Sequence, residues 1–237
     1  MNFYKYENEI NNIIDQNPSE YDLYPLIKNV LNFVINKELS IRLTGPNRLT
    51  TTEQRFCSIS AVPDLSILSD DFKYGKEQGH ILGVVEVKCY KENLDKKEFL
   101  SEVLGELLSY SKVIYTNGLE WRYYEYKAKS EKDKHSKKAL DELNEKYIRY
   151  KLKLYSLPYA QNRSEDEKAE YEKINDEVKN IISNINKKLA ELLNIVDINS
   201  KPIMKWSVKL KGANGKLSKK NYYKLLYELS KINWYKK

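Results

Sequence analysis

Ile81-Leu-Gly-Val-Val-Glu-Val-Lys88 is the stretch that decides how this chain folds. It is short, rich in β-branched residues and bounded by polar segments, so it reads as a buried strand. Side chains alternate across a strand, which puts Glu86 and Lys88 on one face with Val84, and Val85 and Val87 on the other. A carboxylate and an ammonium on a core strand are costly to bury unless they are paired, hydrogen-bonded or on a metal. Two readings are open: chemistry, or a same-face ion pair at a strand end.

Upstream, Val62-Pro-Asp-Leu-Ser-Ile-Leu68 ends a strand-like region that begins near residue 39. Ile41-Arg-Leu-Thr44 reads as one strand, Gly45-Pro46-Asn47 as a turn, and Phe56 to Leu68 as one or two more strands. The acidic loop Ser69–Gly79 leads into the central strand. Two helices come first. Residues 3–16 carry Ile10, Ile13 and Ile14 on one side. After Asn17-Pro18, Leu23, Leu26, Ile27, Val30, Leu31 and Val34 recur at helical spacing. Ser19-Glu-Tyr-Asp22 fits a capping signature, while Pro25 belongs in a first turn; the start is open by one turn, with Glu20 at or just before it.

Downstream, residues 95–112 predict an amphipathic helix with Phe99, Leu100, Val103, Leu104, Leu107 and Leu108 inward. Val113–Thr116 and Leu119–Glu125 flank Asn117-Gly118, a strong hairpin signal. A charged junction at Lys129–Lys138 follows. Residues 136–157 and a helix opened by the capping box Ser164-Glu-Asp-Glu167 predict a helical hairpin reaching residue 196, with Leu140, Leu143, Tyr147, Ile174, Val178, Ile181, Ile185, Leu189, Leu192 and Val196 as its seam. Asn199-Ser-Lys-Pro202 ends it. Ile203–Lys211 alternates as a half-buried strand, Gly212–Gly215 turns, and Ser218 caps a last helix. The division expected is 1–127 for the core, 128–198 for the hairpin and 199–237 for a basic strand-turn-helix unit that can pack on the core.

The 237 residues carry a formal charge of +7, so polyanions are natural partners, although solubility alone is an equal explanation. The 20 tyrosines suit either base stacking or surface packing. Cys57 and Cys89 make neither a disulfide framework nor, with only His80 and His135, a zinc site. No signal-peptide core or bilayer-length apolar run is present, which predicts a reduced, cytoplasmic protein without membrane contact.

Asp64 and Glu86, if brought together at adjacent strand ends, offer hard oxygen ligands suited to Mg²⁺ or Mn²⁺ and a substrate phosphate. Lys88, one pleat from Glu86, could hold an attacking water or the scissile phosphate. Pro63-Asp64 followed by Glu86-Val87-Lys88 on a hydrophobic strand resembles the PD-(D/E)XK nuclease superfamily, over about residues 19–126. The resemblance implies a restriction-endonuclease-like αβββαβ core with a mixed central sheet. It implies Asp64 and Glu86 as metal ligands, the Val87 carbonyl as a further ligand, and Lys88 as catalytic base or phosphate clamp. It also implies Glu20 as a supporting acid. Glu106-Leu-Leu-Ser-Tyr110 resembles the Gln-x-x-x-Tyr motif of RecB-type members, with Glu in place of Gln, and implies accessory roles for Glu106 and Tyr110.

The function expected is a Mg²⁺-dependent nuclease acting on nucleic acid, most readily DNA, in restriction, phage or mobile-element defence, or repair. Lys205, Lys209, Lys211, Lys216, Lys219 and Lys220 are candidate phosphate contacts or a solvated face. A homodimer would supply two sites for double-strand cutting. The rival is an inactive nuclease-like module that grips nucleic acid or a protein, such as a phage-encoded inhibitor.

Overall fold

The computed structural model describes residues 1–45, 54–58, 62–126, 131–158, 160–191 and 202–235. Among them, β1 (Ser40–Leu43), β2 (Leu65–Leu68), β3 (Ile81–Val87), β4 (Lys112–Thr116), β5 (Glu120–Glu125) and β6 (Met204–Lys209) lie side by side in that order in one sheet. All neighbours are antiparallel except β3 and β4, where Val84 faces Val113 and Val87 faces Thr116 in parallel. A parallel pair needs a crossover, which α3 (Lys97–Tyr110) provides. The fold is α/β, with helix, three strands, helix and strand following one another from α2 (Glu20–Val34) to β4 as the sequence predicts.

The alternation in β3 separates two cores. Val85 and Val87 pack under α1 (Phe3–Gln16), α2 and α6 (Lys219–Ser230), together with Leu65, Ile67, Ile114 and Trp121. Val84 packs on the other face with Val113, Tyr115 and the apolar side of α3. Each fully buried valine contributes roughly 1.5–3 kcal/mol, which anchors the strand whose tip carries Glu86 and Lys88.

The helical hairpin joins the second core. α4 (Glu131–Ser156) and α5 (Glu165–Glu191) bring Leu140, Ile181 and Ile185 against it. The Ser164 box closes as expected: the Ser164 N–H donates to Glu167 Oε2 at 2.7 Å, and the Glu167 N–H donates to Ser164 Oγ at 3.3 Å. α4 starts before residue 136, the start expected. Pro46 and Asn47 of the expected turn, junction residues 129 and 130, and the hairpin's end with Leu192, Val196 and Asn199–Lys201 lie outside the described residues.

The C-terminal unit completes the sheet. β6 pairs with β5, Val208 facing Trp121. α6, capped by Ser218 Oγ accepting from the Asn221 N–H at 3.3 Å, buries Tyr222, Leu225, Leu226 and Leu229 in the first core. Trp234 then lies over β3, where a Cβ on Gly83 would stand 2.6 Å from its ring. Lys112 Nζ donates to the Trp234 carbonyl at 2.9 Å.

One expectation is corrected, and one left open is decided. Among the described residues, the strand sought from Phe56 onward is Leu65–Leu68, Gln54–Phe56 is a 3₁₀ turn, and residues 59–61 lie outside them. Phe56 packs its ring 5.4 Å from that of Phe72, so burial of its aromatic side chain, not a ladder, accounts for the apolar signal. α2 starts at Glu20, with Pro25 beyond its first turn. Ser19 Oγ accepts from the Asp22 N–H at 3.3 Å and donates to Asp22 Oδ2 at 2.7 Å; this cap fixes the start. Pro25 leaves the Tyr21 carbonyl without its i+4 donor, which is tolerable because Tyr21 is exposed. No helix among the described residues is long and apolar enough to cross a membrane.

Candidate active site

Register brings the acids together. Leu65 faces Val85 in the antiparallel β2–β3 pair, so one further step sets Asp64 opposite Glu86. Opposed residues of an antiparallel pair point to the same face, and like charges there repel. Asp64 is held in place from both sides. Its Oδ1 accepts from the Tyr24 hydroxyl at 2.5 Å and its Oδ2 from the Val87 N–H at 2.7 Å. The N–H groups of Thr44 and Gly45 donate to the Asp64 carbonyl at 2.8 and 3.0 Å. Gly45 passes so close that a Cβ there would lie 2.6 Å from Asp64 Oδ1.

α3 supplies the other wall. Residues i and i+4 on a helix are about 6 Å apart along its axis, close to the 6.6–6.8 Å or so between i and i+2 on a strand. Glu102 and Glu106 on α3 therefore match Lys88 and Glu86 rung for rung. Lys88 Nζ donates to Glu86 Oε1 at 2.7 Å and to Glu102 Oε2 at 2.5 Å. The Glu106 carboxyl, 1% exposed, lies within hydrogen-bonding reach of Glu86, and its Oε2 has no hydrogen-bond partner.

The electrostatics follow from this crowding. Burial and then the Glu86 charge push Asp64 up to about 8, against the downward pull of the Tyr24 and Val87 hydrogen bonds. Burial raises Glu86, partly offset by Lys88 and by a hydrogen bond from Glu106. Burial and then the Glu86 charge raise Glu106 well above its ordinary value, which favours its protonated form. For Lys88, burial alone would lower the pKa; Glu86 and Glu102 outweigh it and raise the value. Lys88 is therefore a fixed ammonium, better suited to holding an anion or orienting water than to taking a proton.

Glu20, the first residue of α2, reaches Asp64 indirectly: the Tyr24 hydroxyl contacts Glu20 Oε1 at 3.2 Å. Tyr110 donates to the Arg55 carbonyl at 3.3 Å, and burial and then the nearby Glu106 raise its pKa. Lys205, Lys209, Lys211, Lys216, Lys219 and Lys220 are all exposed. Lys209 faces Glu120 on β5, at the sheet end where Thr116 meets Val87. It shares the site's end of the sheet, three strands away, whereas Lys205 lies toward the opposite end. Tyr24 and Glu102 were not singled out from the sequence. The i+4 spacings Glu20–Tyr24 and Glu102–Glu106 were the available signals, and neither differs from ordinary helix-surface spacing.

The donor set fits a hydrated divalent ion. Among the described residues no three His, Cys, Asp or Glu side chains are grouped to hold a metal by themselves. Magnesium does not need such a cage; it keeps several waters and binds one or two carboxylates plus substrate phosphate. Asp64 and Glu86 put two carboxylates on one sheet face, the number of protein ligands such an ion asks for. No family model, no curated protein and no solved structure matches this chain.

Proposed function

We propose that the chain is a divalent-metal-dependent nuclease that hydrolyses phosphodiester bonds, in DNA before RNA. The observation that carries this reading is the opposition of Asp64 and Glu86 on one sheet face, with Val87 fixing the first acid and Lys88 pairing with the second. A magnesium or manganese ion held by Asp64, Glu86 and the Val87 carbonyl would supply a water of lowered pKa and charge to set against the phosphate. Tyr24 orients Asp64 and ties Glu20 to it. Glu106 donates its proton toward Glu86 and keeps that carboxylate turned outward. Lys88 stays charged and holds the phosphate or aligns the attacking water. Cutting both strands of a duplex would call for two copies of the chain, which suits restriction, defence against mobile DNA, or repair.

The rival is a module that grips nucleic acid without cutting it, favoured by the capture of Lys88 between two carboxylates. One experiment separates them. Plasmid DNA and a structured RNA are incubated with the wild type, Asp64→Asn and Glu86→Gln in Mg²⁺, Mn²⁺ or EDTA. Cleavage by the wild type in metal alone, lost in both variants, supports the nuclease. Binding without cleavage in either metal supports the gripping module and sinks the nuclease, as would cleavage that both variants retain.

A further inference from the structure

α6 buries one side in the core and presents the other to solvent. Lys219, Tyr223, Tyr227 and Lys231 recur every four residues and form one stripe along the exposed side. Tyr223 is 48% exposed and Tyr227 57%. Lys224 lies beside them, and Tyr4 of α1, 60% exposed, stands next to Lys219. Lone surface tyrosines are ordinary; here three are interleaved with lysines. Lys231 Nζ sits 3.8 Å from the centre of the Tyr227 ring, and Lys219 Nζ 5.2 Å from that of Tyr4. Across residues 219–231 Glu228 is the sole acid against four lysines. The platform is rigid: Ser218 caps α6, Tyr222 donates to the Met1 carbonyl at 2.8 Å, and Tyr222 packs against Phe3 and Tyr6.

We infer that this α6 face is a binding track for single-stranded nucleic acid, in which Tyr223 and Tyr227 stack on bases while the flanking lysines take phosphates. The inference deepens the nuclease reading and rests on it for the class of polymer. Tyrosine rings find base faces only where bases are unstacked, which selects a single strand over a duplex. Tyr223 and Tyr227, about 6 Å apart on the helix, are spaced to take two bases parted from each other. The lysines supply charge complementarity to the backbone. The Ser218 N–H donates to the Leu210 carbonyl at 2.8 Å just beyond β6, so α6 starts at the sheet end that carries Asp64 and Glu86, on the face opposite that of Glu86 and α3.

The test is fluorescence anisotropy on the full chain in EDTA, where no cutting obscures binding. The probes are labelled oligothymidylate, oligouridylate, a mixed-sequence duplex and, by flotation, phosphatidylserine-containing vesicles. Tighter binding of the single strands than of the duplex is expected; the two oligonucleotides report DNA against RNA. Tyr223→Ala and Tyr227→Ala should each weaken single-strand binding by about fivefold or more, with Tyr→Phe restoring it. Lys219→Gln and Lys231→Gln should each lower the slope of log affinity against log salt by about 0.7. Circular dichroism checks that α6 is intact in each variant. Single-strand binding that both alanine variants retain overturns the inference, as does duplex binding of equal strength or binding to vesicles alone. Binding is read in EDTA on the wild-type chain and needs no cleavage, so a failure to cleave in the earlier assay leaves this result legible.

Discussion

The backbone N–H of Val87 donates to Asp64 Oδ2 at 2.7 Å, so the strand that bears Glu86 and Lys88 also fixes the acid of the strand before it. The partner bond, from the Tyr24 hydroxyl to Oδ1, comes from a side chain that can be removed. Tyr24→Phe should leave the fold intact and lower stability by about 1–3 kcal/mol. Cleavage should fall roughly 10–100-fold, the usual effect of losing a group that orients a metal ligand. Denaturant melts and initial rates measure the two separately. Weaker stability with an unchanged rate would reduce Tyr24 to a packing role.

Lys88 carries a second expectation. Removing one partner of a buried ion pair costs about 3–5 kcal/mol, because the other charge is left uncompensated. Lys88→Met strands Glu86, which is 8% exposed. The metal-free variant should lose stability on that scale. Mg²⁺ should return more stability to it than it adds to the wild type, because the cation takes the ammonium's place beside Glu86. A metal-induced shift in melting temperature no larger in the variant than in the wild type would contradict this.

Glu106 stands where the resembling motif has glutamine, and the structure gives a reason the two interchange. Burial and the Glu86 charge raise its pKa and so favour a protonated carboxyl, and a carboxamide can donate from the same place. Glu106→Gln should change stability by less than about 1 kcal/mol and keep cleavage within a few-fold of wild type. Glu106→Ala should cost about 2–4 kcal/mol through the cavity it leaves. A Gln variant as damaged as the Ala variant would mean that the charge matters and the donor does not.

Cys57 reports on the segment beneath Tyr110. Burial pushes its thiol up to about 11 from 9.0. The folded state therefore keeps its proton when the unfolded chain has lost it. Stability from this group is complete below pH 9 and falls as pH rises toward 11, by up to about 3 kcal/mol. Melts of wild type and Cys57→Ala between pH 8 and 11 should converge as pH rises. Thiolate absorbance in the native protein should appear near pH 11, and a titration near pH 9 would refute the burial.

The sequence was legible where the signal is local. Alternation in Ile81–Val87, the Asn117-Gly118 turn and the caps at Ser19, Ser164 and Ser218 each depend on neighbours a few residues away. The strand Met204–Lys209 was legible too, but its partner was not. β5 ends at Glu125, and the helical hairpin intervenes before β6 begins, so no short-range pattern ties them. The same limit hid Tyr24 and Glu102. Their roles depend on contacts 40 and 14 residues distant, and a tyrosine or glutamate at helical spacing looks the same whether it meets solvent or a site. Phe56 misled for the converse reason: apolar content was read as a ladder when aromatic packing consumes it.

Gly45 offers the sharpest separation of site from scaffold. A methyl group there would sit 2.6 Å from Asp64 Oδ1 and 2.9 Å from Asp64 Cα. Neither atom is at liberty to retreat, because Tyr24 and Val87 hold the carboxylate and two N–H groups hold the carbonyl. Gly45→Ala should therefore cost about 1–3 kcal/mol, as overpacking does, and should abolish the stabilisation that Mg²⁺ confers. In Asp64→Ala the carboxylate is gone and part of the clash with it. The two changes should then be non-additive by about 0.5–3 kcal/mol, in the direction that makes Gly45→Ala milder in the Asp64→Ala background. A double-mutant cycle in urea measures this directly, and strict additivity would show that Gly45 acts on the chain's path and not on the acid.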